Sequence, residues 1–207
     1  MRNLTAKLLT ILSFAVLAGP LSAARYQIDP VHSEVSFKVK HMMVSKVQGR
    51  FDRFSGDFVY DEKDPNSWKT SAVIEAASIN TSNANRDKHL QSADFFEVEK
   101  YPSISFKSAR VSNYKDGKAK LEGTLNLHGV EKPVVLDLEV GGVVADPMGN
   151  NRAGFEANTR INRKDFGIIW SKTLGNGGMV IGEDVDINIR IEGIEQKMEK
   201  KPAEVKK

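Results

Sequence analysis

Apolar and polar residues alternate with a period of two along most of the chain. Successive side chains of a β-strand point to opposite faces of a sheet, so this period predicts strands with one apolar and one solvated face. The alternation is strict in four segments, at 35–39, 119–127, 134–140 and 185–191. Weaker strand patterns occur at 56–60, 71–79, 104–111 and 154–161. We therefore predict an all-β fold of about eight strands.

Turn-forming segments separate the predicted strands. Asp116-Gly117 and Lys132-Pro133 are typical of tight turns, and the segments 61–66 and 146–151 are rich in Asp, Asn, Pro and Gly. These connections are mostly too short for crossover helices, so we expect the strands to pair antiparallel. Eight such strands can close into a barrel or pack as a sandwich. Closure would also remove the exposed strand edges that invite aggregation.

One segment without alternation, 84–94 (ANRDKHLQSAD), favours a short helix. Arg86, His89, Leu90 and Ala93 would share one helix face because they are three or four residues apart. With this face turned inward, a helix across one end of a barrel would form part of a mouth. With the face outward, it would be a surface helix anchored by Leu90.

Both ends of the chain differ from its body. Arg2 and Lys7 precede an apolar run of 12 residues at 8–19, followed by small residues at 21–24. This pattern predicts a cleaved signal peptide at 1–23, since the run is shorter than the roughly 20 residues of a membrane-spanning helix. The Lys-rich segment 196–207 predicts a mobile tail, which leaves 24–195 as the folded domain. Export without cysteine favours the bacterial periplasm as the location.

The net charge of +3 would suggest an anionic partner such as nucleic acid. However, the signal segment contributes two basic residues, and the tail contributes five Lys against two Glu. The body then has 23 basic and 25 acidic residues, a net charge of −2. We therefore expect no nucleic-acid partner. Any contact with a membrane should be transient, with the basic tail supplying positive charge.

The sequence offers little for catalysis or metal binding. Absence of cysteine excludes disulfides, thiolate metal sites and a cysteine nucleophile. The four histidines (His32, His41, His89 and His128) lack the short spacing of metal ligands, so we predict neither a metal site nor catalytic residues. The Gly-rich segment 175–178 precedes a strand rather than a helix, which favours a hairpin turn over a phosphate-binding loop.

An ordered set of motifs resembles the YceI-like family of exported bacterial polyisoprenoid-binding proteins. The segments that carry the resemblance are 26–37 (YQIDPVHSEVSF), 49–58 (GRFDRFSGDF), 86–96 (RDKHLQSADFF), 101–106 (YPSISF), 123–133 (GTLNLHGVEKP), 154–155 (GF) and 162–167 (NRKDFG). The resemblance implies a lipocalin-like antiparallel β-barrel with a long apolar tunnel. It also implies a polyprenyl ligand such as an isoprenoid quinone or polyprenyl phosphate, a periplasmic location and a homodimer. No cofactor and no defined catalytic residues come with it.

An eight-stranded barrel is just wide enough to be filled by side chains or to hold one slender ligand. The candidate tunnel residues are Phe37, Met42, Phe51, Phe54, Leu90, Phe95, Phe96, Phe106, Phe155, Ile168 and Trp170. The candidate head-group residues are the cations Arg86, His89, Arg163 and Lys164, since Arg pairs well with phosphate. The alternatives are that the rings only fill the core, that Arg86 pairs with Asp87, and that Arg163 and Lys164 solvate a turn.

Two classes of function follow. The first is a non-enzymatic carrier or storage protein for a polyisoprenoid or another long-chain amphiphilic lipid. A chain of about 40 carbons could gain roughly 12 kcal/mol in a tunnel, near nanomolar affinity, which favours storage or assisted transfer over free exchange. The second is an enzyme or redox accessory that acts on a bound quinone or lipid. A cluster of titratable or metal-binding groups would favour the second class, and the sequence shows none.

Overall fold

A computed structural model describes residues 23–173, 175 and 177–197 of the chain. The predicted signal peptide, except for its last residue, and the predicted tail from 198 onward lie outside the described residues. The described residues form eleven strands: β1 (Ala24–Ile28), β2 (Glu34–His41), β3 (Ser45–Phe51), β4 (Phe54–Tyr60), β5 (Lys69–Glu75), β6 (Ile79–Asn80), β7 (Ser103–Lys115), β8 (Lys118–Leu127), β9 (Val130–Ala145), β10 (Asn151–Asn162) and β11 (Ile181–Glu195). They also contain one α-helix, α1 (Ala84–Gln91), and none of their helices is long and apolar enough to cross a membrane.

Eight of the strands close into an antiparallel barrel in the order β1-β4-β5-β7-β8-β9-β10-β11, with β11 pairing back to β1. The predicted barrel is therefore confirmed, and the sandwich alternative is wrong. The long strand β11 has two partners on one side. Its last residues pair with β1, whereas its earlier part, from Ile181 to Arg190, pairs with β2.

The strands β2, β3 and β6 extend the barrel wall beyond the closed ring at one end. β3 pairs with β2 and with the two residues of β6, and α1 follows β6 after three residues. α1 packs on β6 and places Leu90, which is partly buried, against the core, and the Gln91 side chain donates a hydrogen bond to the Ala77 carbonyl at 2.9 Å. The helix thus turns its Leu90 side inward at this end of the barrel. We call this end the helix end.

The opposite end of the barrel is closed by stacked aromatic side chains, and we call it the aromatic end. Tyr26 stacks on Phe58 with ring centroids 5.1 Å apart, and Tyr60 packs on Trp68 at 4.8 Å. Phe155 contacts the rings of Phe58, Tyr60 and Trp68 edge-on. Four of these five side chains are buried, so the aromatic end forms a compact plug.

Charged side chains form a network of ion pairs on the outside of the barrel at the aromatic end. Arg152, on β10, donates hydrogen bonds to Asp29 at 2.9 Å, Asp146 at 3.0 Å and Glu192 at 2.5 Å. A hydrogen bond to His32, together with Arg152, lowers the pKa of Asp29 to about 2. Backbone donation from Asn150, together with Arg152, lowers the pKa of Asp146 to about 2. The Arg152 network therefore ties the β1–β2 connection to the β9–β10 hairpin across β11.

Candidate ligand-binding cavity

The barrel encloses a cavity of about 600 Å³ that runs between its two ends. This volume falls in the range of small-molecule binding sites. Inward-facing residues of every strand except β6 line the cavity, as the alternation predicts. On β11 the lining residues are Val185, Ile187, Ile189 and Ile191, whereas Asp186, Asn188 and Arg190 between them are absent from the lining. The interior is therefore a hydrocarbon surface bounded by a closed sheet.

The cavity stops against the aromatic end and opens at the helix end. Tyr60, Trp68 and Phe155 of the aromatic plug lie on its wall. At the helix end its lining includes Lys40, Asn85 and His89, all of which are exposed to solvent. We call this opening the mouth. A ligand that enters through the mouth would meet polar groups first and apolar groups deeper inside.

His89 lies on the rim of the mouth within a small aromatic cluster. Its ring makes edge-to-face contacts with Phe95 at 5.0 Å and Trp170 at 5.1 Å between centroids. Its Nε2 atom lies 2.8 Å from a carboxylate oxygen of Asp94. This contact orients the imidazole. The two aromatic rings extend the apolar lining of the cavity to the rim.

Arg86 also lines the cavity, and its guanidinium is held by Thr81. Its Nε donates to the Thr81 hydroxyl at 2.7 Å, and its Nη2 donates to the Thr81 carbonyl at 2.8 Å. Asp87 accepts hydrogen bonds from the backbone amide and the hydroxyl of Thr81, rather than from Arg86. Thr81 therefore fixes a cationic group beside the mouth.

Arg163 is buried, with 4 % of its surface exposed. Its Nη1 donates to the Ile168 carbonyl at 2.6 Å, and its Nε donates to the Gly182 carbonyl at 2.9 Å. Its Nη2 has no hydrogen-bond partner among the described residues, and burial lowers the pKa of this guanidinium. The alternative that Arg163 merely solvates a turn is wrong, because its side chain joins the 163–168 turn to β11 within the wall.

The structure places most of the predicted site residues on the cavity wall. Thirteen of them line it: Phe37, Phe51, Phe54, Arg86, His89, Leu90, Phe95, Phe96, Phe106, Phe155, Arg163, Ile168 and Trp170. Their roles in binding stay predictions. Met42 and Lys164 are not among the lining residues. Met42 lies in the exposed β2–β3 turn, and Lys164 is exposed and forms a salt bridge with Glu183 at 2.5 Å.

Sequence reasoning missed the aliphatic part of the lining. It favoured aromatic residues, whereas much of the wall comes from Val, Leu and Ile of the most regular strands: Leu121, Leu125, Val134, Leu136, Leu138, Val185, Ile187, Ile189 and Ile191. The signal was available, since these residues occupy the apolar positions of the strict alternation. A closed eight-stranded barrel turns every such position toward its interior.

Outside the cavity, Asp29, His32 and Glu192 form a cluster of possible metal ligands. One ligand atom from each residue lies within 4.8 Å of the others. Arg152 donates to both carboxylates of the cluster. The guanidinium already supplies the positive charge that a cation would bring, so this geometry serves the outer network.

Comparisons with known proteins agree with this architecture. The YceI-like domain family matches residues 26–193 of the chain. Protein YceI of Escherichia coli O157:H7 is 42% identical over 192 residues, which cover 91% of this chain and 96% of that protein. The crystal structure of a Campylobacter jejuni YCEI protein is similar with a TM-score of 0.66 and 35% identity, covering 76% of this chain and 90% of that one.

A more distant structure shares the fold. A polyisoprenoid binding domain from Saccharophagus degradans, implicated in plant cell wall breakdown, is similar with a TM-score of 0.64 and 18% identity. The match covers 84% of this chain and all of that domain. The barrel fold is therefore common to these proteins.

Proposed function

The chain belongs to the YceI-like family, and we propose that it is an exported, non-enzymatic carrier that binds a polyisoprenoid lipid inside its barrel. The cavity carries this proposal. It is long, apolar and open at the helix end, as an extended hydrocarbon chain with a polar head group requires. The polyisoprenoid-binding domain of similar fold supports the ligand class.

The orientation of the ligand follows from the two ends. The aromatic plug offers its rings to the terminal isoprene units, whereas the mouth offers Arg86 and His89 to a head group. A phosphate or a quinone carbonyl would accept hydrogen bonds from these side chains. We therefore place the head group of a polyprenyl phosphate or an isoprenoid quinone at the helix end.

The contacts favour carriage over chemistry. Thr81 orients Arg86 and Asp94 orients His89, and the interior offers hydrocarbon side chains to the ligand. Burial of a long prenyl chain supports tight binding and slow release into water. Storage in the periplasm, or transfer between partners that receive the lipid directly, fits such a ligand. The signal-like residues 1–23 support that location.

Mass spectrometry of an organic extract from the purified, processed protein tests the proposal. We expect one polyprenyl lipid per barrel. A protein that is purified empty and converts an added quinone to a product would overturn the carrier function and favour the enzyme or redox accessory. Exchange of the bound lipid into plain buffer within milliseconds would contradict storage.

A further inference from the structure

The turn between β2 and β3 exposes three consecutive apolar residues. Met42 is 43%, Met43 62% and Val44 86% exposed. The turn is closed by a hydrogen bond from the Val44 amide to the His41 carbonyl at 3.2 Å. Apolar side chains at the tip of a solvent-facing hairpin gain no burial in the barrel, so packing within the chain does not account for them.

The backbone of this turn makes its composition more unusual. Met42 has a φ of 50° and Met43 a φ of 63°, so both lie in the left-handed region. Two central residues with positive φ are typical of a type I′ turn, for which Asn-Gly is the favoured pair. Methionine is disfavoured in this conformation. Turn chemistry therefore gives no reason for the two methionines either.

The turn lies on the rim of the mouth. The Met42 amide donates to the Val180 carbonyl at 2.8 Å, and the Val180 amide donates to the Lys172 carbonyl at 2.9 Å. His41 and Val180 are part of the cavity lining. In the neighbouring loop, Ile169 is 70% exposed between two lining residues, Ile168 and Trp170. Exposed apolar groups from two loops thus meet at the opening.

Cations accompany these apolar groups. Lys40 and Lys172 are both exposed at the rim, and the Lys172 ammonium lies 6.0 Å from the centre of the Trp170 ring. Neither lysine forms a salt bridge within the described part of the chain. A patch of apolar side chains flanked by unneutralised lysines complements the interface of an anionic bilayer.

The aromatic end provides a comparison within the same molecule. Met148, at the tip of the β9–β10 hairpin, is 86% exposed, and Val144 nearby is also exposed. The adjoining network has an excess of carboxylates, since Asp29, Asp146 and Glu192 all pair with Arg152. Negative charge disfavours an anionic bilayer. Both ends therefore expose methionine, but the one at the aromatic end lies beside an acidic network, whereas those at the mouth lie beside lysines.

We propose that the rim of the mouth, formed by Lys40, Met42, Met43, Val44, Ile169 and Lys172, docks on the surface of an anionic lipid bilayer. Docking would place the mouth against the membrane, so that a prenyl chain could pass between bilayer and barrel without crossing water. The purpose of this docking rests on the proposed carrier function, whereas the docking itself requires no cargo.

Flotation of the processed protein with lipid vesicles tests the docking. We expect it to float with vesicles of phosphatidylcholine and phosphatidylglycerol, and less with phosphatidylcholine alone. The combined change Met42→Asn and Met43→Gly should weaken vesicle binding by at least about tenfold, since interfacial binding scales with the apolar area buried. Asn and Gly both tolerate the positive φ of these two positions, so the stability should be unchanged or higher. Lost binding would therefore not reflect unfolding.

Two further variants complete the experiment. Met148→Asn removes an equally exposed methionine from the aromatic end and should bind vesicles like the unchanged protein. Lys40→Gln with Lys172→Gln should weaken binding to anionic vesicles by roughly fivefold for each lysine. All variants carry the same C-terminal tail, so its charge cancels in the comparison.

The outcomes separate docking from cargo binding. Full vesicle binding by the Met42→Asn, Met43→Gly protein, or no binding by the unchanged protein, would overturn the docking proposal. Lipid extracted from the same preparations reports the carrier function independently. An empty barrel that floats with vesicles would support docking and contradict the carrier function. A loaded barrel that does not float would support the carrier function and contradict docking.

Discussion

At the scale of single residues, glycines determine where the aromatic rings of the cavity can lie. A Cβ atom on Gly49 would come within 2.4 Å of the Phe37 ring, and one on Gly123 or Gly193 would come within about 2.5 Å of the ring of Phe106 or Phe58. Each ring therefore rests against the bare backbone of a glycine on another strand. Rings that lie flat against the wall leave the centre of the barrel to a ligand.

Gly49→Ala should force the Phe37 ring off the wall. The added methyl group also meets the side chain of Thr81 at 2.8 Å, so the ring has little freedom to move sideways. We expect a loss of about 1–3 kcal/mol in the free energy of unfolding, typical of overpacking, together with a lower lipid content. Urea denaturation and extraction measure the two effects. Gly154→Ala is the matched control, because nothing lies within 4 Å of its Cβ position.

Arg86→Ala should weaken binding of a polyprenyl phosphate more than that of an isoprenoid quinone. A guanidinium pairs with phosphate through charge-assisted hydrogen bonds, which a neutral quinone carbonyl does not match. Because Arg86 also holds Thr81, melting temperature must be measured beside affinity, and Arg86→Lys should restore part of the phosphate binding. Equal losses for both ligands would contradict a head-group role.

At the scale of elements, two paths of chain, 24–41 and 45–60, are each broken by a short connection into two strands. β1 and β2 both pair with β11 but are separated by 29–33, and β3 and β4 are separated by Asp52 and Arg53. The breaks let one half of each path join the closed ring while the other half forms the wall of the mouth. On the first path, the Arg152 network fastens the break through Asp29.

The Arg152 network predicts a stability that depends on acid pH. The pKa values of Asp29 and Asp146 are lowered to about 2 in the folded chain, below the ordinary value of 3.8. Their contribution to stability is therefore complete above the ordinary pKa and lost as the pH falls toward 2. Arg152→Met should lower stability at neutral pH and flatten part of this acid dependence, since His32 and the Asn150 amide still lower the pKa values of Asp29 and Asp146. Urea denaturation at a series of pH values measures both effects.

A substitution that removes a cation without touching the network provides the control. Lys107 is exposed and forms no salt bridge within the described residues, so Lys107→Met should leave the acid dependence as it is. An Arg152→Met protein with the acid profile of the unchanged chain would show that Arg152 does not contribute to these pKa values.

How far the sequence predicts each element depends on how complete its apolar face is. β8, β9 and β11 carry an apolar side chain at nearly every inward position, so the period alone identifies them. The turn predicted at Lys132-Pro133 is wrong, because both residues lie within β9 and pair with β8. The alternation does not predict β3, because Gly49 occupies an inward position, where the Phe37 ring excludes a side chain. β6 has two residues, too few to show any period. The helix is predicted because 84–94 lacks alternation, although it ends at Gln91, three residues earlier than the segment.

The candidate site is predictable in part for the same reason. An inward residue on a regular strand can be read from the alternation, as for Phe37 and Phe106. Turn residues cannot, because the backbone conformation decides where their side chains lie: Met42, with positive φ, lies outside the lining. The burial of Arg163 depends on carbonyls of Ile168 and Gly182, which only the folded chain brings together.

At the scale of the whole molecule, the two ends of the barrel differ in whether they are closed and in which side chains surround them. The aromatic end is plugged by rings and fastened outside by ion pairs, whereas the helix end is open, partly polar and surrounded by exposed apolar residues and lysines. The opening at the helix end suits a carrier that takes up and releases one chain by the same route. The C-terminal strand ends beside β1 at the aromatic end, so the Lys-rich segment after it starts away from the mouth. The homodimer implied by the family resemblance stays a prediction.

The lipid content of a cavity-blocked variant shows whether the ligand lies inside the barrel. Ile189 lines the cavity and contacts both halves of the core, so Ile189→Trp should fill the middle of the barrel, whereas Ile189→Val should leave it open. Native mass spectrometry of the two folded variants should find one polyprenyl lipid on Ile189→Val and on the unchanged protein, and none on Ile189→Trp. The same lipid bound in full amount to a folded Ile189→Trp protein would show that it lies outside the barrel and would contradict the account.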